Sequence, residues 1–126
     1  MAYRKYHNKR VEYDGKVFDS LKEKKRYCQL QLLEKQGIIS NLRLQVSFEL
    51  IPPIYEDEVV QLKTKTKIKK KLVQRATTYI ADFVYDSDGK TIVEDVKGSS
   101  DILTSEFKLK MKLMRYIHGI EIKIYE

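Results

Sequence analysis

The sequence predicts an α/β fold built on a mixed sheet. Runs in which every second residue is apolar predict strands, and two segments with a capping residue at the start and glycine at the end predict helices. The elements follow one another as helix, three strands, helix and strand, behind a short N-terminal hairpin. Because this order requires both hairpin and crossover connections, the sheet should contain antiparallel and parallel pairs.

Length and composition indicate one folded domain, residues 1–126. Hydrophobic residues make up 42% of the chain and aromatic residues 10%, which is more than disordered chains usually contain. A chain of 126 residues can bury one core but not two. The sequence has no internal repeat and no linker rich in proline, glycine or serine, so we expect no further division.

The charge balance favours a polyanionic partner. The 25 lysines and arginines outnumber the 18 acids and leave a formal charge of +7, which suits nucleic acid first and an anionic membrane surface second. Cys28 is the only cysteine, so an internal disulfide is impossible and a reducing, cytoplasmic compartment is expected. His7 and His118 have no cysteine or histidine partners with which to bind zinc.

Three further classes of protein are not expected. No apolar run approaches the roughly 20 residues that span a bilayer, so we expect no membrane association of that kind. The N-terminus lacks the apolar segment of a secretory signal. No glycine pattern typical of nucleotide cofactor binding occurs.

The N-terminal third predicts a basic arm, a hairpin and a helix. Residues 1–10 are basic and aromatic without apolar periodicity, which indicates an arm. The pair Asp14-Gly15 is typical of a hairpin turn, because both central residues of that turn need positive φ. Ser20 can cap a helix that stops near Gly37. We expect this helix to be packed on two sides, with Leu21, Cys28 and Leu32 on one and Glu23, Tyr27 and Leu30 on the other.

The middle of the chain predicts a long strand and a basic ribbon. Apolar residues at every second position from Leu42 to Leu50 predict the strand, and two prolines end it. Residues 55–76 hold an acidic patch and then alternate lysine with threonine, which suits an extended chain better than a helix. We expect a protruding β-hairpin or long loop there.

The C-terminal part predicts a hairpin, a helix and a closing strand. Strands over Thr78–Tyr85 and Thr91–Lys97 are joined by the turn residues DSDG. A helix follows over Thr104–His118, and Gly119 is its stop. Its apolar face consists of Phe107, Met111 and Met114. The sequence IEIKIY then alternates as a final strand.

Carboxylates on the two hairpin strands are placed for chemistry. Alternation puts Asp95 and Lys97 on one face of the second strand and Glu94 on the other. Asp82 interrupts an apolar run on the first strand, where an uncompensated carboxylate is costly, and the hairpin brings it beside the Asp95 face. Two carboxylates and a backbone carbonyl, here that of Val96, can hold Mg²⁺, and a lysine can stabilise charge on a phosphate.

Each of these residues also has a purely structural interpretation. Asp82 could face water at a sheet edge, and Asp95 with Lys97 could form an ordinary ion pair. Glu23 lies at the capping-box position of the first helix, where it needs no metal. Gln45 on the first strand is expected to face solvent rather than the site.

Beyond these single residues, the chain resembles the PD-(D/E)XK nucleases, which have the restriction-endonuclease-like fold. The resemblance is carried by the element order αβββαβ, by Asp82 in IADF, by D-V-K at residues 95–97 and by Glu23 in SLKEKK. With a QxxFxL strand added, the pattern resembles a small phage-encoded family of that superfamily over nearly the whole chain. Ala81 stands where the superfamily motif has proline.

The resemblance implies a Mg²⁺-dependent DNA endonuclease, with Mn²⁺ able to substitute. Its catalytic residues would be Asp82, Asp95, Lys97 and Glu23, and its metal ligands the three acids and Val96. The phage context implies branched DNA as substrate, as in Holliday-junction resolvases, and a role in recombination or replication inside a bacterial host. Because junction resolution needs two symmetric cuts and one chain offers one site, we expect a homodimer.

Basic residues flank the site and are expected to bind the DNA backbone and its shape rather than its sequence. They lie on the arm and on the ribbon: Arg4, Lys5, Lys9, Arg10, Lys63, Lys65, Lys67, Lys69, Lys70, Lys71 and Arg75. The last helix could extend this surface through Lys108, Lys110, Lys112 and Arg115. The alternative hypothesis is an accessory DNA-binding module that has the same fold and does not cut, but the set of two acids and a lysine favours the enzyme.

Overall fold

The structure is a computed structural model that describes residues 9–98 and 103–126. It is mixed α/β, as the sequence predicts. Its helices are α1 (Leu21–Lys35) and α2 (Ser105–Leu113), the second continued by a π-helical turn (Met114–His118). Its strands are β1 (Val11–Tyr13), β2 (Lys16–Phe18), β3 (Ser40–Ile51), β4 (Ile54–Gln61), β5 (Thr66–Gln74), β6 (Thr77–Ser87), β7 (Lys90–Val96) and β8 (Ile122–Tyr125). None of the helices described is long and apolar enough to cross a membrane.

The central sheet has four strands in the order β3-β6-β7-β8. The β3–β6 and β6–β7 pairs are antiparallel and the β7–β8 pair is parallel, which confirms the mixed sheet. The parallel pair requires a crossover, and α2 supplies it. Two small hairpins, β1–β2 and β4–β5, stand outside this sheet.

The sheet separates two hydrophobic clusters, one on each face. The α1-side cluster is formed by Phe18, Tyr27, Leu30, Ile39, Phe83 and Tyr85. The α2-side cluster is formed by Leu50, Tyr79, Ala81, Val84, Val93, Phe107, Met114 and Ile122. A sheet covered on both faces explains why the middle of β6, from Tyr79 to Tyr85, is apolar apart from Asp82.

Both predicted hairpin turns are confirmed. Asp14 and Gly15 have φ of 53° and 73°, and they connect the paired residues Tyr13 and Lys16. In the DSDG turn, Asp88 and Gly89 have φ of 51° and 75°. Two consecutive residues with positive φ match the right-handed twist of the flanking strands, so these turns fix the strand register.

Among the residues that the structure describes, only one side of the first helix is packed, contrary to the two-sided packing expected. Glu23, Tyr27 and Leu30 are buried as expected, and the Ser20 hydroxyl caps the helix by accepting the Glu23 amide at 3.1 Å. On the other side, Leu21 and Leu32 are 51% and 55% exposed. Cys28 between them is half-buried, so it is not the core residue that the sequence suggested. The sheet offers one face to this helix, so only one stripe can be covered.

The second helix covers the predicted range and stops at Gly119 as predicted, but its last turn is not α-helical. Its α-helical part ends at Leu113, and Met114–His118 form a wider π-helical turn before Gly119 adopts φ of 66°. Phe107 and Met114 are buried, which confirms the predicted apolar face. The wider turn brings His118 Nε2 to 2.8 Å from the Glu49 carbonyl oxygen.

Strand β3 does not present one apolar face, although its apolar residues alternate regularly. Leu42 and Leu44 pack on the α1-side cluster, whereas Val46 and Phe48 pack on the α2-side cluster. The change of face occurs at Gln45, whose φ of 51° is left-handed. A left-handed residue interrupts the pleat, so the residues after it point to the opposite face. The paired strand changes face at the same level, because Ala81 and Phe83 also contact opposite clusters.

The predicted basic ribbon is a β-hairpin. Strands β4 and β5 pair antiparallel from Ile54–Gln74 to Gln61–Thr66, within one or two residues of the predicted range 55–76. Every residue of β5 is exposed. The ribbon extends from the ends of β3 and β6, outside the central sheet.

A buried ion pair ties α1 to the middle of the sheet. Arg26 donates two hydrogen bonds to Glu94, at 2.7 and 2.8 Å, and the Tyr85 hydroxyl donates to the same carboxylate. The Glu94 side chain is 3% exposed. Because a buried carboxylate is stable only with such partners, this network fixes the position of the helix on the sheet. Glu94 therefore points away from Asp95, as predicted.

Replacing Arg26 with alanine should lower the free energy of unfolding by about 3 kcal/mol, because Glu94 would be left buried without its counter-charge. Urea denaturation at neutral pH measures this. Arg43→Ala is the matched control, since Arg43 is exposed and bonds only a local carbonyl, and it should change the free energy by less than about 0.5 kcal/mol. Equal effects of the two substitutions would contradict the structural role given to Arg26.

Candidate active site

An open cleft forms where β6 and β7 stop pairing. The two strands pair from Ser87–Lys90 as far as Phe83–Glu94, and the next residues in this register are Asp82 and Asp95. Here the Asp82 carboxylate accepts the Val96 amide at 2.9 Å, so a side chain takes the place of the next backbone partner. The strands separate and leave a cleft of about 510 Å³.

The cleft gathers side chains from α1, β3, β6 and β7. Its lining consists of Asp19, Ser20, Lys22, Glu23, Gln45, Ile80, Asp82, Asp95, Val96, Lys97 and Gly98. All four residues predicted to be catalytic are among these, together with the backbone of Val96. Elements far apart in sequence therefore bring the predicted site together.

Asp95 is the most buried acid of the cleft, at 5% exposure. The Tyr79 hydroxyl donates to its Oδ2 at 2.7 Å, and Lys97 Nζ lies 3.3 Å from its Oδ1. The same ammonium group stands 4.3 Å from the centre of the Phe107 ring. The ion pair considered in the sequence therefore exists, and it joins a buried acid to a half-exposed lysine that lines the cleft. Burial and the neighbouring Asp95 charge raise the pKa of Tyr79, so this phenol remains a donor.

Asp82 is partly buried and lies beside Asp95. Burial, and then repulsion from Asp95, raise the pKa of Asp82 to about 6, against the lowering effect of the Val96 amide. The side chain does not face water at a sheet edge, because β6 is an inner strand between β3 and β7. The predicted position inside the sheet is confirmed.

Glu23 enters the cleft from the first turn of α1. It is 6% exposed, and burial followed by repulsion from Asp82 raises its pKa to about 7. Its backbone takes part in the helix cap through Ser20. The Glu23 amide thus takes part in the helix cap, while the Glu23 carboxyl group lies in the cleft near Asp82.

Among the cleft residues that the sequence does not assign to the site, two donate hydrogen bonds to residues that it does assign. Gln45 is exposed, as expected, but its amide nitrogen lies 3.4 Å from Asp82 Oδ1 and 3.5 Å from Glu23 Oε1. Lys22 donates to the Lys97 carbonyl oxygen at 3.0 Å. The QxxFxL pattern contained the glutamine but gave no sign of its left-handed backbone, which turns it toward the acids. Lys22 is adjacent to Glu23, and no sequence motif distinguishes it from the other lysines of the helix.

The donor set and charge of the cleft fit a hard divalent cation. Four acids and two lysines line it, a formal charge of −2 at full ionisation in a chain whose total is +7. Carboxylate and carbonyl oxygens are the ligands that Mg²⁺ prefers, and Mg²⁺ keeps several waters. Within the described ranges no three His, Cys, Asp or Glu side chains are arranged to hold a metal. A fit therefore depends on two carboxylates, a backbone oxygen and water.

The predicted nucleic-acid-binding residues fall into three groups. Arg4 and Lys5 lie outside the described residues. Lys9 and Arg10 are exposed at the start of the described chain. The others are exposed on or next to the ribbon, and are Lys63, Lys65, Lys67, Lys69, Lys70, Lys71 and Arg75.

Acids of the ribbon oppose half of its lysines. Cross-strand partners are Glu56–Lys71, Asp57–Lys70 and Glu58–Lys69, and Lys70 Nζ lies 2.6 Å from Asp57 Oδ1. Lys67 instead faces Val60. On the last helix, Lys110 pairs with Glu106 and Arg115 with Glu121. The positive charge available to a polyanion is therefore smaller than the lysine count suggests.

Comparison with known proteins identifies a family but not an activity. The sequence model of the family described as "Protein of unknown function (DUF1064)" matches residues 3–124, so the chain belongs to this family. No curated protein matches the sequence. No solved structure matches it either.

The raised pKa values make the metal-free protein less stable as pH rises. Between the ordinary value of 4.5 and the folded value of about 7, the folded state keeps a proton on Glu23 that the unfolded state has lost. The free energy of unfolding should therefore fall across this interval, by roughly 1 to 3 kcal/mol with the contribution of Asp82 included. Urea denaturation in EDTA at a series of pH values measures the slope.

The Glu23→Gln variant should flatten this dependence, most clearly near pH 7, where Glu23 titrates. Glu12→Gln is the matched control, because Glu12 is exposed on β1. An unchanged slope in the Glu23 variant would show that this carboxyl group does not hold its proton in the folded protein.

Proposed function

We propose that this member of the DUF1064 family is a Mg²⁺-dependent DNA endonuclease that acts on branched DNA. The observation that carries the proposal is the cleft in which Asp82, Asp95 and Glu23 meet Lys97 at the point where two strands separate. Structural ion pairs normally balance their charge, as Arg26 and Glu94 do. The cleft instead keeps an excess of acid, which a functional site requires and a folded core does not.

The resemblance to PD-(D/E)XK nucleases supports this reading. The observed chain order, with the ribbon and the N-terminal hairpin set aside, is helix, three sheet strands, helix and strand. The acid of IADF and the D-V-K residues lie side by side on neighbouring strands, and the acid of the first helix joins them. We propose on this basis that the fold is restriction-endonuclease-like.

Asp82, Asp95 and the Val96 carbonyl would hold the metal, and Glu23 would contact a water bound to it. Bound Mg²⁺ supplies a water with a lowered pKa and neutralises charge on the phosphate. Gln45 would orient the Asp82 and Glu23 carboxyl groups, whose oxygens it approaches within 3.5 Å. Tyr79 fixes Asp95 through its hydroxyl.

Lys97 and Glu23 have separate chemical tasks in the proposed hydrolysis. The Lys97 ammonium group can stabilise the negative charge that builds up on the phosphate, while Asp95 and Phe107 hold it in place. Glu23 has a pKa of about 7 in the metal-free protein, so its carboxylate can accept a proton from water near neutral pH. The new bond joins the water oxygen to phosphorus, and a phosphodiester oxygen leaves.

In this proposal the ribbon would follow DNA away from the cleft. It starts where β6 begins at Thr77, five residues from Asp82, which is about 17 Å along a strand. Ribbon lysines that no acid opposes, such as Lys67, would contact phosphates, so the protein would bind the shape and backbone of DNA rather than its sequence. We further propose a cytoplasmic location and a homodimer, since resolving a junction takes two symmetric cuts.

A non-catalytic DNA-binding module is the second candidate. The exposed lysines of the ribbon favour DNA binding whether or not the cleft is active. The two proposals differ only in whether the cleft catalyses cleavage, so a cleavage assay distinguishes them.

Cleavage of labelled four-way junction, flap, single-stranded and linear duplex DNA tests the proposal. With Mg²⁺ or Mn²⁺ present, we expect paired cuts in the junction, and we expect EDTA to abolish them. Asp82→Asn and Asp95→Asn should reduce cleavage to the metal-free background, and Lys97→Met should slow it by roughly a hundredfold or more because a charge-stabilising group is lost. Asp88→Asn is the control, since Asp88 lies in an exposed turn with a φ that asparagine tolerates.

Circular dichroism and junction binding should be unchanged in the three variants, which separates lost chemistry from lost folding. Mg²⁺ should also raise the melting temperature of the wild type but not that of Asp82→Asn. Cleavage of every substrate would support a nuclease but would exclude selectivity for the junction. Tight binding without cutting of any substrate, and without a response to Mg²⁺, would instead establish the binding module.

Salt-dependent DNA binding tests the ribbon. Lys67→Ala should weaken binding to all DNA structures and reduce the slope of log affinity against log salt by about one, because one phosphate contact is lost. Fluorescence anisotropy at several salt concentrations measures this. Lys35→Ala removes the same charge at the far end of α1, about 20 Å from the helix turn that lines the cleft, and should leave the slope unchanged. Equal slopes for both variants would exclude the ribbon as a DNA contact.

A further inference from the structure

The two faces of the ribbon differ in chemistry. On one face, the directly opposed pairs Tyr55–Leu72 and Val59–Ile68 flank the pair Asp57–Lys70. The four apolar side chains are between 45% and 65% exposed, and they belong to neither hydrophobic cluster of the described residues. We call these six residues the apolar face of the ribbon.

The opposite face is charged. It carries the pairs Glu56–Lys71 and Glu58–Lys69, and Lys67 opposite Val60. A polyanion would bind this face, because Lys67 has no acid across the strand. On the apolar face the cation is Lys70, which already contacts Asp57 at 2.6 Å. DNA is therefore a poor partner for the apolar face.

We propose that the apolar face of the ribbon binds the same face of a second copy of this chain. The pattern is symmetric about its centre, with one apolar pair on each side of one ion pair. A self-complementary patch of this kind is what a twofold interface requires, since each residue contacts its counterpart in the partner. Stacked face to face, the two ribbons form a small β-sandwich that covers all eight apolar side chains.

Charge complementarity selects the direction of the twofold axis. With the axis parallel to the strands, β4 of one copy lies over β5 of the other, and Asp57 faces Lys70 of the partner subunit. With the axis perpendicular to the strands, β4 lies over β4 and Asp57 would face a second copy of itself. Like charges in a desolvated contact are costly. The twofold axis is therefore expected to run parallel to the strands, apart from the twist of each sheet.

Net charge and area set the expected strength of the dimer. Each chain carries a formal charge of +7, and a face with one acid and one base lets two such chains approach at low electrostatic cost. The face is about 25 Å long, from the eight residues of β4, and two strands wide. It is smaller than the roughly 800 Å² per partner of a standard interface. We therefore expect a weak dimer that depends on protein concentration.

Sedimentation of the full chain over a range of concentrations tests this interface. The wild type should change from the monomer mass of 14.9 kDa to twice that mass as concentration rises. Ile68→Glu should raise the dissociation constant about tenfold or more, because a charge would enter the apolar contact. Lys69→Gln changes the net charge by the same amount on the opposite face, and should leave the dissociation constant unchanged.

A charge exchange tests the contact between the two copies, because mixing the variants restores across the interface the ion pair that each substitution removes within the ribbon. Asp57→Lys and Lys70→Asp should each prevent self-association, since each makes the central position repulsive in the twofold pair. Mixed in equal amounts, the two variants should form a one-to-one dimer. A wild type that stays monomeric at every concentration, variants that still self-associate, or a mixture that stays monomeric would overturn the proposal.

The DNA experiments give an outcome of their own. If Ile68→Glu weakened DNA binding by the monomer as much as Lys67→Ala does, the apolar face would be a DNA contact and the dimer proposal would be overturned. The proposal does not depend on cleavage, because mass is measured without DNA or metal. A chain that dimerises through this face but cleaves no DNA would contradict the nuclease proposal and leave the dimer proposal intact.

Discussion

The separation of β6 and β7 at Asp82 and Asp95 is the constraint on which the site depends. Up to Phe83–Glu94 the strands exchange backbone hydrogen bonds, and beyond that point the Asp82 carboxylate takes the Val96 amide. This bond gives the Val96 amide an acceptor in place of the backbone carbonyl of the neighbouring strand. It therefore lowers the free energy cost of separating the strands. It also keeps Asp82 within the repulsive field of Asp95, which contributes to its raised pKa. One hydrogen bond thus connects the geometry of the sheet with the electrostatics of the cleft.

The carboxylates of two adjacent β7 residues are both buried but have opposite electrostatic surroundings. Glu94 points to the α1 side and receives Arg26 and Tyr85, so its charge is neutralised inside the fold. Asp95 points to the other side, where Tyr79 and Lys97 contact it but Asp82 and Glu23 bring further negative charge. The first arrangement stabilises the protein without a ligand. The second leaves a deficit of positive charge that a cation can fill.

The sequence predicted the local elements well because their signals are local. Asp14-Gly15 and Asp88-Gly89 dictate turns, Ser20 caps a helix, and strand alternation placed Asp95 and Lys97 together. Asp82 was located correctly because a lone acid in an apolar strand is conspicuous.

What the sequence could not predict depends on three-dimensional context. The stripe through Leu21 and Leu32 looks like a packing face, but no element covers it in the described parts of the chain. The apolar alternation of β3 is regular, yet its face changes at Gln45 because of one backbone dihedral angle. No composition or periodicity signal reports that angle, so the glutamine was assigned to solvent. The pairing of Lys70 with Asp57 likewise appears only when the ribbon register is known.

The ribbon and the central sheet should also differ in local stability. Its two strands form a separate sheet and their side chains do not belong to either hydrophobic cluster, and a two-stranded hairpin alone is marginally stable in water. Its amide hydrogens should therefore exchange with solvent through local opening, at a small fraction of the free energy that protects β6 and β7. We therefore expect the central sheet to stay folded when the ribbon opens. A binding surface on such an element can become ordered only when it contacts its partner. The structure of the cleft would not change in that process.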